Sequence, residues 1–201
     1  VLSQSAPDRI RSKADLAAFL AADLQAHGLT SWRFYYRVSR PTLGYQRLLR
    51  RVEYLSTLSG RLGAIRHAVA RVRLARMSVR TGLSIPPGVF GRGLSIAHYG
   101  SIVVNNEASV GRFCRIHSAT NIGTYKGGAP TIGDFAYIGP GAVLYGGITI
   151  GDEVAVGANA VVGNDFDGPA TIAGAPARVV SSEGSSAVMP TWMQSAYQEP
   201  G

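Results

Sequence analysis

Residues 132–162 read IGDFAYIGPGAVLYGGITIGDEVAVGANAVV, and every sixth residue is a large aliphatic: Ile132, Ile138, Leu144, Ile150, Val156 and Val162. Glycine follows all of them except Leu144. A small residue or valine (Ala136, Ala142, Val154, Ala160) often sits four positions further on. An amphipathic helix repeats its apolar residues at 3.6 and a half-buried strand at 2. Six fits neither period. It fits a solenoid of short strands joined by tight turns, three hexads to a coil, each hexad sending one aliphatic into the axis. The glycine that follows is expected to take backbone angles that a Cβ disfavours. The predicted fold is mainly β, a left-handed parallel β-helix with an N-terminal α-helical domain.

Working outward, the solenoid is expected to begin near Ile85, announced by Pro86-Pro87-Gly88. Its early steps run Ile85, Ile96, Ile102, then eight residues to Val110, then Ile116 and Ile122. Ten residues separate Ile122 from Ile132, so four extra residues fall within Gly123–Thr131, GTYKGGAPT. An insertion in a regular solenoid is a natural place for function. After Val162 the pattern closes with NDFDGPATIAGAPARVV. The sequence from Ser181 is small, polar and aperiodic, and is expected to be a flexible tail. The domains are therefore 1–81, a helical cap; 82–180, the β-helix; and 181–201, the tail.

In the cap, residues 12–27 are predicted as a helix capped by Ser12, with Asp15 completing part of a capping box. Leu16, Phe19, Leu20 and Leu24 share its apolar face, and Gly28 stops it. The aromatic and basic stretch Trp32–Arg40 reads as a short helix or turn whose aromatics serve core or subunit contacts. From Leu43 to Arg80 the series Leu48, Val52, Leu55, Leu58, Leu62, Ile65, Val69, Val72 predicts one long or broken helical segment, with the break at Gly60 and Gly63. Such helices would shield the open end of the solenoid.

Composition bounds the rest. The chain has 201 residues and a net charge of +8. Residues 1–81 hold 15 of the 20 Lys+Arg and four acids, a balance of +11, while residues 82–201 balance at −3. Without a nucleic-acid motif beside it, this bias reads first as a solvated helical surface. No apolar run reaches the roughly 18–20 residues of a membrane span. One cysteine, Cys114, excludes an internal disulfide and suits a reducing compartment, so the expected location is cytoplasmic.

The repeat, the segment GLSIAHYGSIVVN (93–105) and the segment IAGAPARVV (172–180) together resemble the hexapeptide acyltransferases, in particular their serine O-acetyltransferase-like branch. The resemblance implies an O-acetyltransferase with acetyl-CoA as co-substrate, no metal, and a homotrimer with each site between neighbouring solenoids. It maps the catalytic histidine to His98. His117 follows the residue on the next coil equivalent to Ile96, so it is placed near His98 or across a subunit boundary, where it would shape the acceptor pocket, tune His98 or replace it as the catalytic base. For the donor, Ala173, Gly174 and Pro176 would border the pantetheine arm, with Ala142 and Ala160 lining the same trench. Gly123 and Thr124 would lie near the thiol, and Lys126 at a phosphate.

Three departures bear on the acceptor. The serine enzymes carry Asp directly before the histidine, where this chain has Ala97; another Asp at the solenoid entry, where the counterpart is Ser84; and an Arg-His pair in the insertion, which GTYKGGAP lacks. Serine and a sugar hydroxyl both remain open as acceptors. A zinc-dependent gamma-type carbonic anhydrase would need three histidines, and the solenoid holds two. A non-catalytic assembly protein would lack the histidine, the insertion and the closing segment together.

Overall fold

The computed structural model describes residues 8–198; residues 1–7 of the expected cap and 199–201 of the expected tail lie outside these. Helix α1 (Lys13–Gln25) begins as the sequence predicts. The Asp15 N–H donates to Ser12 Oγ, and the Ser12 N–H donates to the Asp15 carboxylate at 2.8 Å, a reciprocal capping box. Phe19, Ala22 and Leu24 are buried. A short helix, α2 (Tyr36–Ser39), leads into α3 (Pro41–Leu55), which Pro41 starts where a missing N–H is harmless. Then α4 (Gly60–Thr81) runs to a left-handed cap at Gly82, φ 72°. The break falls just before Gly60, while Gly63 lies within α4, where a Cβ would sit 2.9 Å from the Leu58 carbonyl oxygen.

The apolar series misjudged which face of α4 is buried. Gly63, Ala70 and Leu74 face inward. Leu62, Ile65, Val69 and Val72 point outward and are at least half exposed. The aromatic stretch likewise buries Tyr36 but exposes Phe34, Tyr35 and Val38. No helix of the described residues is long and apolar enough to cross a membrane.

Helix α3 covers the first coil. Tyr45, Leu49 and Val52 join the solenoid's apolar interior, and the Tyr45 hydroxyl donates to the Ile85 carbonyl. Beside them Arg50, fully buried, ties the two parts together. Its guanidinium pairs with Asp23 at 2.9 Å and Glu53 at 3.2 Å and donates to the Phe90 and Gly91 carbonyls. Asp23 in turn accepts from the Gly93 and Leu94 N–H groups, and Glu53 from Gly88.

The solenoid has three parallel faces. The first comprises Leu83–Ser84, Ile102–Val104, Asn121–Gly123, Val143–Tyr145 and Val161–Val162. The second comprises Ser109–Val110, Thr131–Ile132 and Thr149–Ile150, extended by bridges to Phe90 and Phe166. The third comprises Ser95–Ile96, Arg115–Ile116, Tyr137–Ile138, Val154–Val156 and Ala170–Ala173. Ile96, Ile116, Ile138, Val156 and Ile172 stack in register, giving five coils of a left-handed parallel β-helix.

Two local expectations need correction. The glycines after the inward aliphatics have no left-handed φ. What they supply is room: a Cβ on Gly133 would collide with an Asp152 carboxylate oxygen on the next coil and lie 2.7 Å from its backbone N. Left-handed backbone occurs instead two positions later, at Phe113, Ala119, Phe135, Gly141, Glu153 and Asn159. Second, the inward position that pairs with Ile122 is Val104, not Ile102. The extra residues of that coil therefore lie between Ile96 and Val104, in the corner that carries His98.

The expected flexible tail is also corrected for residues 181–198. Arg178–Ser181 returns antiparallel along Ala170–Ala173, and the chain then makes a short helix, α5 (Thr191–Gln194). Met189, Met193 and Ala196 bury against Ala22 of α1, Ala26 at its C-cap and Phe113, with Phe135 and Tyr137 beside them. Three spaced apolar residues on a polar segment carry no readable period, yet they close the third face. Met193→Ala, which empties a fully buried site, is expected to cost about 2 kcal/mol, the low end for a buried methionine. Limited proteolysis should then cleave the variant within 181–198 faster than the wild type.

Candidate active site

Three corners join the faces, and the sequence-derived site residues divide between two of them. The corner from the third face to the first carries His98 on the first coil, His117 on the second, and Ala173, Gly174 and Pro176 on the fifth. The insertion, with Gly123, Thr124 and Lys126, leaves from the corner between the first face and the second. One chain does not bring the two groups together.

The His98 corner is wide because of its extra residues, and it rests on the end of α4. The Gly100 N–H donates to the Thr81 carbonyl and the Ile102 N–H to that of Gly82. A Cβ on Gly82 would meet the Gly100 carbonyl at 2.9 Å, so the left-handed glycine allows this close approach. His98 is exposed, and its ring centroid lies 6.1 Å from that of His117. The histidines that the coil spacing brings near one another are neighbours.

His117 occupies the place that Gly139 and Gly157 take on the following coils. Its ring is half-buried, 5.1 Å from that of Tyr137, and Nε2 is enclosed without a hydrogen-bond partner. Burial, then the Arg115 guanidinium and His98, pull its pKa down to about 4. The imidazole is therefore neutral at pH 7 and keeps one ring nitrogen as an acceptor. An NMR titration should show the His117 ring unprotonated down to about pH 5. Because the folded pKa is depressed, the unfolded chain binds the proton first, and this group lowers stability as pH falls from about 6.5 toward 4.

Three residues beside the pair were not read from the sequence: Tyr99, Arg115 and Tyr137. Tyr99 is 65% exposed next to His98. Arg115 and Tyr137 follow Ser95 in one outward column of the third face, and an Arg115 Nη1–H donates to Ser95 Oγ at 2.8 Å. Arg115 and Tyr137 each precede an inward isoleucine, so coil register was the signal that could have found those two.

Above the pair the same corner continues through Gly139 and Gly157 to Ala173, whose side chain would be 3.0 Å from a Cβ on Gly157. The corner is thus lined by small residues up to the exposed Gly174 and Pro176. Ala142 and Ala160 do not belong to this lining. Both are fully buried with their methyl groups in the solenoid interior, which corrects their expected place in the trench. At the other corner the insertion makes a tight hairpin. Tyr125 and Gly128 exchange backbone hydrogen bonds across Lys126 and Gly127, both at positive φ. Tyr125 is 54% exposed and packs edge-on to Tyr145 at 5.6 Å. Thr124 and Lys126 are exposed, with Lys126 Nζ 5.3 Å over the Tyr125 ring. Among the described residues no three His, Cys, Asp or Glu side chains gather as a metal-binding group.

Residues 129–164, within the stacked coils, match the bacterial transferase hexapeptide (six repeats) family. The chain is similar to the serine O-acetyltransferase-like branch of the hexapeptide acyltransferases. A serine acetyltransferase of Helicobacter pylori is 36% identical over 108 residues, 51% of this chain and 63% of that one. The soybean serine acetyltransferase apoenzyme superposes with a TM-score of 0.68 at 28% identity, covering 82% of this chain and 69% of its own. A serine acetyltransferase in complex with CoA gives a TM-score of 0.68 at 25% identity, over 84% and 71% of the two chains. The chain covers less than two thirds of the length of this curated relative.

Proposed function

We propose that the chain is a homotrimeric O-acetyltransferase that moves an acetyl group from acetyl-CoA to a hydroxyl. The observation that carries this reading is the His98–His117 pair at the foot of a corner lined by small residues up to Ala173, Gly174 and Pro176. A narrow pantetheine arm fits along such a corner, its thioester at the histidines.

The chemistry needs a base, because a hydroxyl is too weak an acid to attack a thioester unaided. His98 takes the acceptor's proton as its oxygen bonds to the acyl carbon. Backbone N–H groups near the insertion hold the resulting oxyanion. The C–S bond then breaks, the acceptor leaves as its acetyl ester, and the imidazolium returns a proton to the CoA thiolate. His117, neutral and half-buried beside His98, shapes the pocket in which the acceptor is oriented. Since the insertion sits at another corner, Gly123, Thr124 and Lys126 reach the site from a neighbouring solenoid, with Lys126 at a phosphate of the cofactor.

The acceptor nearest the chain's relatives is serine. A sugar hydroxyl is the second reading, favoured by the exposed Tyr125 ring braced on Tyr145, a flat surface on which a sugar ring can stack. An acetyl-CoA donor and a single buried thiol, Cys114, fit a cytoplasmic setting. Titration calorimetry with CoA, combined with equilibrium sedimentation, tests the reading. Three chains per particle binding three CoA molecules support it; a monomer, or a particle that binds no CoA, contradicts it.

A further inference from the structure

The outer surface of the helices carries features that acetyl transfer does not use. Between α2, α3 and α4 lies a cavity of about 610 Å³ ringed by Arg37, Arg47, Arg51, Arg73, Arg76 and Arg80, with Trp32, Leu48 and Met77 among its apolar walls. No carboxylate lines it. None of the six arginines forms an ion pair among the described residues. Arg47 lies 4.5 Å over the Trp32 ring, with its Nε buried and without a hydrogen-bond partner. Burial, then repulsion from Arg51 and Arg37, weakens its hold on the proton. Converging like charges and an orphaned donor are both relieved by an anion such as a phosphate.

The same face is unusually apolar. Leu62, Ile65, Val69 and Val72 form an exposed stripe along α4, between 51% and 61% accessible. Val38 of α2 and Val79 of α4 are more exposed still, at 85% and 88%. Ile65 and Val69 line a groove of about 320 Å³ that shares Leu48, Arg51 and Arg73 with the arginine cavity. The stripe and the cations therefore form one surface. Helix α4 itself carries six arginines and no acid.

These charges select the occupant. A second copy seated on this face would set arginines against arginines. A soluble anion would fill the cavity and leave the aliphatic stripe in water. A bilayer rich in acidic phospholipid satisfies both, with phosphates for the arginines and the headgroup–acyl boundary for the aliphatic side chains. We propose that the α2–α3–α4 face docks the protein on an anionic phospholipid membrane, with α4 lying along the interface and a lipid phosphate entering the arginine cavity. This docking is independent of the acetyl-transfer reading.

The test is co-sedimentation of the full chain with phosphatidylcholine vesicles, with and without phosphatidylglycerol, over a range of salt. Binding should require phosphatidylglycerol and weaken as salt rises. The combined change Arg47→Gln, Arg51→Gln, Arg73→Gln should lower partitioning by about tenfold or more, and Ile65→Ser with Val69→Ser should lower it as well. Equal binding to both vesicles, or none, overturns the proposal in the wild type alone, before any variant is made. Binding of inorganic phosphate without vesicle binding overturns it in favour of a soluble anion. Self-association that Ile65→Ser abolishes, again without vesicle binding, overturns it in favour of a second copy.

Discussion

His98→Ala is expected to lower acetyl-CoA turnover by about 10²–10⁴-fold, the range for loss of a positioned general base. The variant should fold normally. His98 is exposed on a corner whose hydrogen bonds to α4 come from the backbone of Gly100 and Ile102, and its ring centroid lies 6.1 Å from that of His117. Its thermal unfolding should stay within about 0.5 kcal/mol of wild type, as for other surface changes, and CoA binding should persist. His117→Ala separates the two roles. If His117 orients the acceptor, that change raises the acceptor KM more than it lowers kcat. Full turnover in His98→Ala combined with none in His117→Ala would reverse the assignment.

The largest effect on stability is expected at Arg50. Its guanidinium serves two carboxylates and two carbonyls with no exposure to water. Arg50→Leu would leave Asp23 and Glu53 buried beside each other without their cation. Breaking a buried pair from one side costs about 3–5 kcal/mol, a fall in Tm of roughly 10 °C for a chain of this size. The carboxylates also cap the Gly88, Gly93 and Leu94 N–H groups, so the damage should centre on the join between helices and first coil. Hydrogen exchange should rise there first and spare the coils around Ile138 and Val156. Arg50→Lys keeps the charge but not the fork that reaches two carboxylates and two carbonyls, and should lie between the two. An unchanged Tm in Arg50→Leu would mean that the clasp is dispensable.

How far the sequence could be read depended on period. From Ile132 to Val162 one hexad matches one strand, and the expected register is the observed one. The first coil hid its register because Ile102 and Val104 are both buried, and the larger one sits two residues before the ladder position. That same offset explains Ala142 and Ala160. The residue four after one inward aliphatic is two before the next, and its side chain tucks inside the corner, so a small residue there signals core filling and no trench. Phe90 and Phe166, which finish the second face at both ends, follow shortened steps of five and four residues from Ile85 and Val162 and carry rings where the repeat expects an aliphatic.

In the helices, Leu62, Ile65, Val69 and Val72 gave the clearer apolar stripe. The buried stripe instead uses Gly63, whose missing Cβ leaves room for Leu58, and Ala70, small residues that add little hydrophobicity. The histidine pair was legible because coil spacing converts sequence distance into stacking. The separation of the insertion from it was not, since corner assignment depends on counting three faces through two irregular steps.

The central claim is tested most directly by following release of free CoA from acetyl-CoA by the wild-type chain, with L-serine and a panel of sugars offered in turn. The account predicts release that depends on one class of hydroxyl acceptor and yields its acetyl ester in equal amount. No release with any acceptor, together with no binding of acetyl-CoA, would contradict it.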